Sequence, residues 1–523
     1  MDAPAAHFWF ARVAGKVIGW LATGTVLGFF LVGCLCNFAQ QATTLFQFNE
    51  IGYGDSYVLY DVLRFQRTGE IYRDLSLAPY LPAQYSPLMY IIYSLPGRFY
   101  RFVNPFVGPR LVALAAFLLC AGMAVAIGHA LIQARYAWWW GVALTGSIGV
   151  MRDWVLQVRA DFLSIAFGLL AVRLLLIESS WAVLLAGLCA GLAIQFKLTC
   201  VAAAVSGTLW LLIRRRWQQL GTFVIATTLT SVGLYLGLWA WQHRMFGELM
   251  AMSPGIYEVR GYFRVVLKAM SEPVVLLAVT AVSAVFSNLT SRWGLLTLYI
   301  SVSFSVAAVT DLQAGGNTNY FYEFLFALIP AAVLGGHRLL TAARSRIDVG
   351  LIATALVAFN FLPAFIRDDA KPIIESVVRP NSVRSKDQKF LRVAEVLQGR
   401  HFLSFIPRLA LLDPQPAITD GFLLTYLHRI GKFDPKPILE GIDQHKFDLI
   451  VTATSPGEWR GIPHLDPELR AAINASYQPY CIYSEYLFRL PRSQSSHSAQ
   501  AQELGNLGCR PLSCGLGSTC PSW

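Results

Sequence analysis

Charge is scarce in this chain. Asp, Glu, Lys and Arg together make up 14% of its 523 residues, against roughly a quarter in soluble globular proteins. A deficit of that size excludes an ordinary soluble enzyme and points to a bilayer. Familiar nucleotide and metal signatures are missing as well. No P-loop, G-x-S-x-G, H-E-x-x-H or Rossmann fingerprint stands in a suitable context, which argues against nucleotide hydrolysis and against a nucleotide-sugar donor in a soluble Rossmann domain. The nine cysteines show no metal-ligand spacing. No inverted repeat of the transporter kind is visible. The first apolar run has no small-residue cleavage signal, so it is expected to stay as a span.

Apolar and aromatic residues fill the space that charge leaves. The chain is 55% hydrophobic, with 14 Trp, 21 Tyr and 33 Phe, and its mean hydropathy is +0.49. Taking 17–25 apolar residues as a span gives about eleven transmembrane helices. They fall near 16–38, 108–133, 136–152, 161–177, 181–196, 199–213, 219–241, 271–287, 293–309, 319–336 and 348–366. The net charge of +11 is then read as cytoplasmic loops and contact with anionic head groups, not nucleic acid. With the N-terminus inside, the cytoplasmic loops receive Arg12, Lys16, Arg135, the triplet Arg214-Arg215-Arg216, Arg292, Arg338, Arg344 and Arg346. That is the expected bias for short loops, and the triplet is a topology anchor. The outer side receives 39–107, 152–160, 242–270 and everything after residue 366.

Three regions follow from this pattern: a membrane domain over 1–366, a small extracytoplasmic α/β domain over 367–492, and a tail over 493–523. In the second, a strand is expected at Phe447–Thr452, a helix at Pro467–Asn474 and one more strand near Tyr480–Leu490. The Ser/Gln/Gly-rich tail, with Cys509, Cys514 and Cys520, is expected to be disordered. The remaining cysteines lie mostly in apolar runs and act as small buried hydrophobes.

Polar residues gather at the outer ends of the spans. Asp55, in Gly52-Tyr53-Gly54-Asp55, is either a proton-abstracting carboxylate with a tuned pKa or the cap of a helix over Ser56–Arg67. Tyr85 opens an interfacial amphipathic segment, Ser86–Phe102, interrupted at Pro96-Gly97. Arg159 and Asp161 stand at the head of the fourth span, as a capped, snorkelling pair or as part of a site. Lys197 departs from the positive-inside trend and suits a lipid phosphate, or else it snorkels. Asn317, Asn319, Tyr320 and Glu323 open a late span, with the last three on one helical face. They either line a cavity or bond between helices.

These segments together resemble the GT-C superfamily of integral-membrane glycosyltransferases, in particular its protein O-mannosyltransferase and aminoarabinose-transferase-like branch (glycosyltransferase family 39-like). The likeness is carried by Gly54-Asp55, by Tyr85-Ser86-Pro87-Leu88-Met89-Tyr90, by Arg159-Ala160-Asp161-Phe162, and by Gly316 to Glu323. The resemblance covers residues 10–366 and implies sugar transfer from a polyprenyl-phosphate carrier at the outer face of a bacterial-type plasma membrane. The acceptor would be a glycan, a lipid or a protein. It implies Asp55 as general base, with Asp161 assisting, and Lys197 or Arg159 on the carrier phosphate. The branch often shows an Asp-Glu or Glu-x-x-Tyr pattern in the first loop. Here Asp55 stands alone, with Glu50 and Asp61 as the other candidates for the base. No cofactor is required, although a divalent cation between Asp55 and Asp161 is compatible with the same residues. The competing functions are a transporter or flippase for lipid-linked sugars, a polysaccharide polymerase or ligase, and a sensory membrane protein.

Overall fold

The structure, a computed structural model, describes most residues between 24 and 512. The principal stretches outside that description are 1–23, 133–150, 272–288, 344–379 and 513–523. The expected spans at 136–152, 271–287 and 348–366, and most of 16–38, therefore fall largely outside the described residues.

The other spans are helices. Val107–Ile132 (α3), Trp217–Trp241 (α7) and Arg292–Thr310 (α10) are long and apolar enough to cross a membrane. Between them stand Asp161–Leu175 (α4), Ser180–Phe196 (α5) and Ala202–Ile213 (α6), and Tyr322–Ala343 (α11) closes the set. Small residues let these helices meet closely. A Cβ on Gly187 or Gly191 of α5 would stand 2.7 or 2.6 Å from Ala226 or Thr230 of α7. Leu118 and Leu119 of α3, and Ile225 and Leu229 of α7, remain exposed, as side chains facing lipid do.

The alternating helices have two ends of opposite character. At one end Glu178 pairs with Arg214 (3.0 Å), Arg216 (2.7 Å) and Arg292 (3.1 Å). At the other end lie the heads of α4 and α11 and the tail of α5. The short helices Asp55–Thr68 (α1), Pro87–Phe99 (α2), Met245–Ala251 (α8) and Tyr262–Ser271 (α9) stand at that end too.

Two local expectations are corrected there. Asp55 does not cap α1; Gly54 is the cap residue, in the left-handed region at φ 85, and Asp55 is the first helical residue. Nor is α2 broken at Pro96-Gly97. Pro96 stands inside the helix, and Gly97 leaves room for Gln66 of α1, whose Nε2 donates to Ser94 O at 2.8 Å.

The C-terminal domain, described from Pro380–Leu397 (α12) onward, sits on this second end. Its sheet has the order β2-β1-β3-β7-β6-β8. The strands are Phe402–Ser404 (β1), Ala417–Ile418 (β2), Leu449–Ala453 (β3), Tyr477–Tyr483 (β6), Tyr486–Pro491 (β7) and Arg510–Pro511 (β8), with β4 (Glu458–Trp459) and β5 (Ile462–Pro463) forming a separate pair. Gly421–Arg429 (α13) and Pro467–Ser476 (α14) pack beside them. Tyr80, from the loop between α1 and α2, belongs to this domain's core.

The single strand expected near Tyr480–Leu490 is a hairpin, β6 and β7, and the tail is not wholly disordered. Ala499–Asn506 (α15) is helical, β8 pairs with β6, and Cys509 is bonded to Cys481. Leu504 and Leu507 are buried against the sheet. Burial of that apolar pair and a covalent tie outweigh the tail's polar composition.

Candidate active site

Asp55 is fully buried. Its Oδ1 accepts from Val158 N at 2.7 Å, and its Oδ2 lies 3.9 Å from Arg110 Nη2 without a hydrogen bond. Arg110 is itself buried, stacks on the Phe106 ring at 4.3 Å and donates to Gln47 O. Burial pushes the Asp55 carboxyl above its ordinary range, and Arg110 pulls the other way.

Asp161 gathers three elements. Its Oδ1 accepts from Lys197 Nζ at 2.6 Å, at the end of α5, and from Asn319 Nδ2 at 2.9 Å, in the turn before α11. Its Oδ2 has no hydrogen bond among the described residues. The Lys197 ammonium also sits 4.4 Å from the Tyr320 ring centroid, a cation–π contact. Burial opposes its charge, but Asp161 and Tyr320 hold its pKa above the usual lysine range. Arg159 stacks on Trp154 and donates from Nη1 to Tyr85 Oη (3.3 Å) and from Nε to Gln157 (3.0 Å).

These groups border one cavity of about 650 Å³ between the membrane helices and the C-terminal domain. Arg159, Lys197, Tyr85, Asn317, Asn319 and Tyr320 line it directly, so six sequence-predicted residues converge on one space. The two acids lie just behind the wall. Asp55 accepts from Val158 N, which lies between the wall residues Gln157 and Arg159, and Asp161 is bonded to Lys197 and Asn319 of the wall. Glu323 is deeper still, accepting from Tyr299 Oη at 3.0 Å in a small pocket shared with Asp161.

Several wall residues escaped sequence reasoning. Gln84, Trp154 and Gln195 come from the helical domain, and Asp420, Phe422, Tyr426 and His464 from the C-terminal domain. Asp420-Gly421 carries only a helix-start signal in the sequence, and nothing local relates it to residue 464.

The residues fit a divalent ion poorly at the two acids, since Lys197 and Arg110 already bring positive charge to them. Among the described residues, His428, Asp466 and Glu468 offer ligand atoms within 4.8 Å of one another. Asp466 there caps α14 through Oδ1 and meets His428 Nδ1 through Oδ2 at 2.9 Å.

The fold is similar to that of ArnT from Cupriavidus metallidurans. The TM-score is 0.58 at 13% identity, both for the apo state and for the complex with undecaprenyl phosphate, covering 90% and 89% of this chain and 98% of ArnT. The oligosaccharyltransferase of Archaeoglobus fulgidus in its apo form follows at TM-score 0.54 and 10% identity, covering 91% of this chain and 75% of that one. At these identities the likeness is one of fold. No protein-family model and no curated protein matches the sequence.

Proposed function

We propose that the chain is a membrane-embedded glycosyltransferase that moves a sugar from a polyprenyl-phosphate carrier to an acceptor at the outer face of the membrane. The observation that carries this is the pair of cations, Arg159 and Lys197, in the wall of a cavity backed by two buried acids. A phosphate needs such charge as it leaves, and an acceptor hydroxyl needs a base. The fold is one that, in ArnT, holds undecaprenyl phosphate.

In the proposed reaction the acceptor oxygen attacks the anomeric carbon. The bond from that carbon to the phosphate oxygen breaks, the phosphate departs with the electron pair, and Lys197 and Arg159 take up its charge. Asp55 is the proposed base. Its raised pKa suits a proton acceptor, and its Oδ2 accepts no hydrogen bond among the described residues. Asp161 holds Lys197 and Asn319 in register. The outer domain is proposed to be extracytoplasmic, in a bacterial-type plasma membrane. The Cys481–Cys509 disulfide supports an oxidising side, and the arginine cluster on Glu178 at the opposite end supports a cytoplasmic one.

Transfer of label from a panel of polyprenyl-phosphate hexoses and pentoses, in purified membranes, tests this. Wild type is expected to transfer from at least one donor, and Asp55→Asn to lose about 10²–10⁴-fold in rate, the usual share of a general base. Asp161→Asn is expected to raise the donor KM. Full transfer by Asp55→Asn with loss in Asp161→Asn would move the base to Asp161. Carrier crossing the bilayer with no transfer would replace the enzyme with a flippase.

A further inference from the structure

The cavity has two chemically different walls. The membrane side carries both cations, whereas the outer-domain side carries Asp420, Phe422, Tyr426 and His464. Local structure explains how these four come together. Asp420 is 1% exposed and caps α13, its Oδ1 accepting from Leu423 N at 3.1 Å. Phe422 and Tyr426 follow at i, i+4 spacing, on one face of α13. Phe422 meets the His464 ring edge-on, with centroids 5.8 Å apart. Gly421 makes that meeting possible. A Cβ there would stand 1.9 Å from the His464 carbonyl oxygen, so only glycine lets the chain after β5 lie against the first turn of α13. Burial lowers the His464 pKa below its ordinary value, leaving a neutral ring at pH 7. Among the described residues, this wall presents one carboxylate, aromatic rings and no positive charge.

Each part has a preferred partner. A carboxylate accepts hydrogen bonds from hydroxyls and ammonium groups. Aromatic faces cover apolar C–H surface. An anion placed against Asp420 would be repelled, which discriminates against it. We infer that the outer-domain wall is the acceptor subsite, and that it takes a neutral or amino saccharide through its hydroxyls and rejects an anionic acceptor. This rests on the transferase reading above, in which the donor phosphate occupies the cationic wall and leaves the opposite one to the acceptor.

The test is direct binding to the purified full chain in detergent, followed by tryptophan emission, since Trp154 stands in the cavity wall. The probes are undecaprenyl phosphate and then, with undecaprenyl phosphate added to saturation so that the cationic wall is occupied, a neutral trisaccharide and its amino and sulfated counterparts. The sulfated sugar is expected to bind at least about tenfold more weakly than the neutral one. Asp420→Asn keeps a capping side chain and is expected to weaken the amino sugar about tenfold while narrowing the gap to the sulfated one. Phe422→Leu should weaken all three saccharides, and neither variant should change binding of undecaprenyl phosphate. The inference is overturned by equal or tighter binding of the sulfated sugar, by unchanged saccharide affinity in both variants, or by no saccharide binding at all. Saccharide binding with these preferences but without undecaprenyl phosphate binding would instead overturn the transferase reading and leave the saccharide site standing.

Discussion

Lys197 and Asp161 are the side chains on which most of the site's geometry hangs, and both are largely buried, at 13% and 3% side-chain exposure. Removing one partner of such a pair leaves an uncompensated charge, at a cost of about 3–5 kcal/mol. Lys197→Met is therefore expected to lower stability by that amount, whereas Lys197→Met with Asp161→Asn should recover most of it while transfer stays lost. Thermal unfolding of the four proteins in detergent reads the coupling, and simple additivity would show that the pair contributes nothing as a pair. These residues were legible in the sequence, because ionisable groups at the ends of apolar runs are rare and tend to face one another. The environment of Asp55 was not. Its partners, Val158 N and Arg110, lie 103 and 55 residues away, and no periodicity relates them to a glycine-rich loop. The same limit hid Asp420 and His464, which meet only because Gly421 allows two distant segments to touch.

Among the elements, the spans were readable because length and hydropathy suffice to define them. α3 and α10 begin and end within a residue or so of expectation. Turn chemistry was less informative. The β6–β7 hairpin turns at Ser484, a non-glycine residue at φ 57, in place of the Asn-Gly or Asp-Gly pair that would announce it. The tail misled through composition, since Leu504, Leu507 and Cys509 are buried despite the polar residues around them. The Cys481–Cys509 bond closes a loop of 28 residues, and a crosslink of that span contributes roughly 3–4 kcal/mol in the chain-entropy account. Cys481→Ala with Cys509→Ala is expected to lower the unfolding temperature. Reductant should bring wild type down to the variant without affecting the variant. A wild type indifferent to reductant would mean that the bond does not support the fold.

At the scale of the whole molecule, the cavity is framed by segments that two buried carboxylates tie together. Glu248 of α8 accepts from Arg73 N at 2.6 Å and from Ala83 N at 2.9 Å, closing the base of the outer loop that leads to Tyr85. Asp61 of α1 meets the Arg73 guanidinium at 3.3 Å. Burial pushes each carboxyl up to about 7. The charge of Glu248 adds to the rise at Asp61 and Arg73 opposes it, while the Ala83 and Arg73 N–H groups oppose the rise at Glu248. Unfolded, both would titrate near pH 4, so between about pH 4 and pH 7 the folded chain binds their protons more tightly than the unfolded chain does. The sign follows from linkage: their contribution is fully present below pH 4 and is lost as pH rises through 7, by up to about 1.4 kcal/mol per pH unit for each proton. Glu178, at the opposite end, acts in the other sense: burial there is outweighed by Arg292, Arg214 and Arg216, and its pKa is lowered. Its titration therefore ends below the window that matters here. Unfolding temperature in detergent is accordingly expected to fall from pH 5 to pH 8, and Asp61→Asn, which has no proton to lose, should flatten that slope. Parallel slopes in wild type and variant would show that Asp61 keeps its charge in the folded chain, and that the frame around the cavity is held by ion pairing throughout.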